Sequence, residues 1–213
     1  MASVRLLLPL GWALAAVGYY GPWIAHKTAA LTLSGVDMGE FVKFLPGALD
    51  GTLGLTRWLF YLPPAAIVVG VALLIGSQRL GFSWMLRLPV LALSIPVSLQ
   101  LLPPAWSPVS LMTAEFRLQT IVLGVCWLLL AGFWLVGKLP PWLSGTASAA
   151  LALAAGTLSA WQFLLVKPAI DDVYNTPPPV GWGFPLCLVG LAMMTLAGVI
   201  LMVRTRVRSA GPW

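Results

Sequence analysis

Phe184-Pro-Leu-Cys-Leu-Val-Gly-Leu-Ala-Met-Met-Thr-Leu-Ala-Gly-Val-Ile-Leu-Met-Val203 carries no charge, and Arg204-Thr-Arg206-Val-Arg208 follows it at once. An α-helix rises 1.5 Å per residue, so about 20 residues cross a hydrocarbon core of about 30 Å. This stretch therefore reads as a transmembrane helix with its arginines at a membrane surface. Working back from it, five more uncharged apolar spans occupy residues 6–23, 58–77, 88–106, 118–137 and 143–166. All 12 Lys and Arg, all six Asp and Glu, and the one His lie outside these spans and the span 184–203. The expected fold is all-α: a polytopic helical membrane bundle of six transmembrane helices, forming one transmembrane domain over residues 1–213.

Composition points the same way. Apolar residues make up 60% of the chain and charged ones 8%, against about 25% charged in soluble proteins. Six spans in 213 residues leave too little chain for a soluble domain. The net charge of +6 comes with no nucleic-acid motif, so nucleic acid is not expected as a partner and the lipid bilayer is. A bilayer interior with no ionisable group lacks the usual parts of a proton relay, voltage sensor or ion-coupled pump.

Six spans put both termini on one side, together with Arg5, Arg79, Arg87, Lys138, Arg204, Arg206 and Arg208. The opposite side receives Lys27, Lys43, Arg57, Arg117 and Lys167, and all the acids: Asp37, Glu40, Asp50, Glu115, Asp171 and Asp172. Basic residues are about threefold denser on the first side, which by the positive-inside rule makes both termini cytoplasmic, in the plasma (inner) membrane. Tyr19, Tyr20, Trp23, Trp58, Tyr61, Trp106, Trp161 and Trp182 mark the outer interface, and Trp84, Trp134 and Trp142 the inner one, as membrane anchors. The first span has a rival reading: Arg5, an apolar run and Ala13-Leu14-Ala15 resemble a short signal peptide, although the apolar run continues past Ala15 to Trp23.

The third span is the least regular. Pro89, Pro96 and Pro103-Pro104 interrupt it, and Pro96 removes a backbone donor in mid-span. Ser94, Ser98 and Gln100 can satisfy what the proline frees, which predicts a kinked, packed helix. With Gln162 they also form a candidate intramembrane polar lining. In the fifth span, Ser148, Ala152, Gly156 and Ala160 recur every four residues, a spacing that lets helix backbones approach within the monomer. Cys126 and Cys187 lack a C-x-x-C partner, and one histidine cannot make a bis-histidine haem pair.

The loops opposite the termini hold the remaining chemistry. Between Ile24 and Arg57, Met38, Phe41 and Leu45 fall at i, i+3 and i+7, with Asp37 and Glu40 near the start and Pro46 at the end. That pattern predicts a short amphipathic helix in the first outer loop. The last such loop contains Asp171-Asp172-Val-Tyr-Asn, then three prolines at 177–179 as a stiff extended spacer. His26, Asp37, Glu40, Asp171 and Asp172, with Glu115, are the candidate binding residues, since convergent carboxylates would suit a hard cation. Dispersed acids on a solvated rim are the favoured reading, so no metal, cofactor or catalytic residue is assigned.

No H-E-x-x-H, G-x-S-x-G or P-loop signature is present. The leading functional expectation is a non-catalytic membrane subunit or accessory protein of a larger complex, with an ABC-type transport system as host and other membrane subunits as partners. The second is a carrier or binding component for a small neutral or amphipathic ligand held by Ser94, Ser98, Gln100 and Gln162. The third is an outer-leaflet, metal-assisted enzyme built on the loop acids and His26.

Overall fold

The computed structural model describes residues 1–28, 31–49, 51, 54–103, 106–174 and 177–209. Helix α1 (Ala2–Tyr20) leads into strand β1 (Pro22–Ile24), which pairs antiparallel with β2 (Leu33–Ser34). Helices α2 (Gly35–Phe41) and α3 (Pro46–Leu49) follow, separated by a 3₁₀ turn at Val42–Phe44. A second 3₁₀ segment, Arg57–Tyr61, runs straight into α4 (Leu62–Ile75). Then come α5 (Trp84–Leu99), α6 (Arg117–Ala131), α7 (Phe133–Val136), α8 (Pro141–Tyr174) and α9 (Gly183–Ser209). The protein is predominantly helical, as its hydropathy requires.

Four helices are long and apolar enough to cross a membrane: Ala2–Tyr20, Arg57–Ile75, Pro141–Tyr174 and Gly183–Arg206. The third and fourth apolar spans of the sequence are shorter as helices. Trp84–Leu99 has 16 residues and Arg117–Ala131 has 15, or roughly 24 and 22 Å of axial rise. Their ends have local causes. Helix α5 stops at Gln100, shortly before Pro103, since the residue ahead of a proline is disfavoured in helix. Helix α6 breaks at Gly132, after which only the single turn α7 forms before Gly137 and Pro140. Inside α5, Ser94 donates to the Val90 carbonyl (2.8 Å) and Ser98 to that of Ile95 (2.6 Å), so both hydroxyls serve their own helix.

Helix α4 is the centre of the bundle. The span containing it is 78% buried, against 39% for each of the other three. It packs against α8 on one side and α5 and α6 on the other, and also touches α1. The first and last helices pair antiparallel around it through glycines. A Cβ on Gly18 would lie 2.2 Å from the Cys187 nitrogen, and one on Gly190 would lie 2.2 Å from that of Ala15. Gly183 meets Gly21 in the same way at 2.4 Å, and Gly198 of α9 meets the Gly145 carbonyl of α8 at 2.6 Å. In lipid no hydrophobic force drives helices together, so close backbone approach supplies the van der Waals contact that holds them. Of the small residues on α8, Ser148 and Ala152 are buried, while Gly156 and Ala160 line a shallow groove beside α9.

One end of the bundle, here the loop end, carries β1, β2, α2 and α3. Trp23 anchors it. Its ring is fully buried, edge-on to Tyr19, Phe60, Phe163 and Phe184 at centroid distances of 5.1–6.3 Å, and its Nε1 donates to the Gly18 carbonyl. Trp23, Tyr19 and Tyr61 are therefore core residues and not interfacial anchors, whereas Trp58, Trp106, Trp161 and Trp182 are exposed. Beside Trp23, Gly181 donates to its carbonyl and Ala25 donates to that of Pro179, joining the extended proline segment to β1.

Gly18→Ala is expected to lower stability by about 1–3 kcal/mol, because the added methyl meets α9 backbone that cannot move alone. Gly124→Ala, where nothing lies within 4 Å of the new methyl, is expected to be neutral or mildly stabilising. Thermal unfolding of both variants in detergent checks the contrast; equal effects would mean that the α1–α9 seam is not close-packed.

Candidate functional site

At the loop end, Ser34 starts α2 through a capping box: its hydroxyl accepts from the Asp37 N–H, while Asp37 Oδ2 accepts from the Ser34 N–H at 2.9 Å and its hydroxyl at 2.6 Å. One turn later Glu40 points inward. Gly39 makes room for that arrangement, since a Cβ there would fall 2.6 Å from the Tyr61 ring. Tyr61 crosses α2 at this point and donates its hydroxyl to Glu40 Oε1 at 2.7 Å.

Glu40 is the hub of an ionic cluster. Lys43 lies 2.5 Å from Oε2, and Arg57 Nη1 lies 3.6 Å from Oε1. Arg57 also pairs with Glu115 at 3.0 Å, and its Nη2 donates to the Glu115 carbonyl and to Gln119 Oε1. Lys43 reaches Glu115 at 3.5 Å, and the Phe116 ring lies under both cations at 5.0–5.9 Å. The Arg57 and Glu40 side chains are only 17% and 22% exposed, so their attraction is less screened than that of a surface pair. Burial opposes ionisation of Glu40, but hydrogen bonds from Lys43 and Tyr61 and the charges of Lys43 and Arg57 prevail. Its carboxyl therefore titrates below the ordinary range. A carboxylate held ionised by three neighbours is a poor proton donor and a poor base, and it serves better as a tie. The tie joins α2 to the entries of α4 and α6.

The sequence-derived candidates divide among separate places. Asp37 and Glu40 line one cleft together with Tyr61 and Gln100. His26 lies in another recess, beside Lys27 and the prolines at 177–179; its Nδ1 accepts from the Thr28 N–H and its ring meets Tyr174 edge-on. Asp171 pairs with Lys167 one turn back on α8, and Asp172 is exposed. Among the described residues no three His, Cys, Asp or Glu side chains gather as a metal-holding group.

The intramembrane set is likewise divided, because α4 lies between α5 and α8. Ser98 accepts from Trp127 Nε1 on α6, and Gln100 donates to the Tyr20 hydroxyl. Gln162, on α8, accepts from the Thr56 N–H instead. The recess beside Ser94 is small, about 100 Å³, and is otherwise apolar. Lys43, Arg57, Tyr61 and Gln119 are the site residues that sequence reasoning missed. Only the i, i+3 spacing of Glu40 and Lys43 was a local signal, since the other partners lie 17 to 72 residues apart.

No family model matches the chain, and comparison with curated proteins and with solved structures found no match.

Glu40→Gln keeps an acceptor for Tyr61 but leaves two partly buried cations with Glu115 alone. It is expected to cost about 1–3 kcal/mol near neutral pH. A lowered folded-state pKa contributes stability above the ordinary glutamate range, which disappears as pH falls through the lowered value. The gap between wild type and variant should therefore close in acid. Thermal unfolding in detergent as a function of pH tests this, and a gap that persists at low pH would refute the charge assignment.

Proposed function

We propose that the chain is a non-catalytic integral membrane subunit or accessory protein of a larger membrane complex. In this reading it lies in the plasma membrane with six helices in the bilayer, α2 at the outer surface and both termini in the cytoplasm. The supporting observation is the α5–α6 flank. Both helices fall roughly 6–8 Å short of a 30 Å core, and they pack on α4 and on each other. Leu88, Leu93 and Ile95 of α5 and Ile121 and Leu128 of α6 are left exposed. Helices too short for the surrounding bilayer are accommodated by local thinning or by association with other helices. Two of them side by side on one flank favour a neighbouring subunit.

The charged groups support a structural role as well, since Glu40, the most enclosed acid among the described residues, is committed to holding loops. At the opposite end, Arg87 stacks on Trp84 at 5.3 Å and Arg79 is exposed in the turn between α4 and α5. These arginines suit an acidic cytoplasmic partner, for which an ABC-type transport system is the favoured host.

Extraction from native membranes in mild detergent, followed by mass spectrometry, is expected to recover other membrane chains with the wild type. Charged substitutions at Leu93 and Ile121 should release them. Recovery of a clean monomer refutes the proposal. For orientation, Thr28→Cys should react with a membrane-impermeant maleimide from outside intact cells and Gln78→Cys should not; Cys126 and Cys187 are buried, so background is low. The reverse labelling would invert the topology.

A further inference from the structure

The cleft between α2 and the chain leaving α5 has a volume of about 520 Å³, within the size range of small-molecule sites. Its two walls differ. One carries Asp37, Glu40 and Tyr61, and the other carries Leu99, Leu102 and Pro103, with Gln100 and the exposed Trp106 completing it.

Apart from the indole N–H of the exposed Trp106, the side-chain hydrogen-bonding capacity left among the described lining residues is mainly that of acceptors. The Tyr61 hydroxyl already donates to Glu40. The Gln100 Nε2 group donates to both the Tyr20 hydroxyl and the Pro96 carbonyl, and Tyr20 donates onward to Pro96. Gln100 is thereby pinned with its carbonyl oxygen left as an acceptor. Asp37 uses Oδ2 in the α2 cap, and its Oδ1 has no partner among the described residues. The charges are equally uneven. Lys43 and Arg57 face Glu40 and Glu115. Asp37, which is exposed, has no cation within ion-pair distance among the described residues, so it is the carboxylate of the described lining without an ion-pair partner.

A cavity with free acceptors, one carboxylate without an ion-pair partner and an apolar, partly aromatic opposite wall selects a donor-rich cation with a hydrocarbon body. We infer that this cleft binds the ammonium group of an amphipathic amine, with the charge at Asp37 and the carbon chain along Leu99, Leu102 and Pro103. The amine is either the headgroup of an aminophospholipid or a free alkylamine, since both present the same ammonium. This inference is independent of the subunit role proposed above.

The test uses the full chain in maltoside detergent, with hexylamine as probe and hexanol as its uncharged counterpart. Isothermal titration is expected to show hexylamine binding at least tenfold tighter than hexanol. Asp37→Asn, which keeps an acceptor for the α2 cap, should abolish that preference, and Asp172→Asn, outside the cleft, should not. Leu102→Trp fills the cleft from the opposite wall with Asp37 intact and should remove binding, so the inference stays testable if Asp37→Asn fails to fold. Phosphatidylethanolamine retained by the wild type but not by Asp37→Asn, read by native mass spectrometry, identifies the lipid as the source. Hexylamine binding without retained lipid amine identifies a free amine. Equal affinity for hexylamine and hexanol, or a preference that survives Asp37→Asn, overturns the inference, as does the absence of both hexylamine binding and retained lipid amine.

Discussion

The rest of the structure depends on the backbone contact between α1 and α9. Gly11 and Gly18 on one helix and Gly183 and Gly190 on the other recur at seven-residue spacing, so the two backbones meet at points one heptad apart. Because these are the first and last long helices of the chain, their pairing closes the bundle around α4. It also delivers Gly21 to Gly183, which brings β1 beside the segment preceding α9 and buries Trp23 among four aromatic rings. Larger side chains along the seam would separate the helices, and the loop end would lose its floor.

On that floor the chain places its charges with economy. Glu40, Lys43, Arg57 and Glu115 come from three separate segments and neutralise one another at the border between loop and helix. An arginine partly buried at such a border would be costly if unpaired, so the carboxylates allow Arg57 to sit at the entry of the central helix. The same arrangement commits Glu40 to its cations and leaves Asp37 as the carboxylate of the adjoining cleft without a cation partner among the described residues.

The flank made by α5 and α6 shows the opposite economy. Pro89 and Pro96 each remove a backbone donor inside α5, which ends before Pro103, and Gly132 interrupts the other helix. Ser94 and Ser98 turn back onto the carbonyls of Val90 and Ile95, not onto those of Met85 and Ala92 that lie one turn before Pro89 and Pro96, so they serve their own helix without replacing the bonds the prolines remove. The flank is consequently the least enclosed part of the bundle, and the central helix is covered there by only two short elements.

Much of this was legible in one dimension. Twenty uncharged apolar residues commit their backbone to helix wherever water is absent, so the helical membrane class and the placement of every charge outside the apolar spans followed from composition and order alone. The start of α2 could also be read, because a cap and an i, i+3 ion pair are local. Other features were decided by tertiary structure. Hydropathy counts residues and does not register where a helix stops, so the lengths of α5 and α6 depended on Pro103 and Gly132 in their packed setting. Trp23 and Tyr19 had the composition of an interfacial belt, yet they lie in the core because the α1–α9 seam turns them inward. Arg57 meets Glu115 across 58 residues of chain, and Gln100 meets Tyr20 across 80. No periodicity encodes contacts at that separation; they exist because helices joined by loops are brought side by side at one end of the bundle.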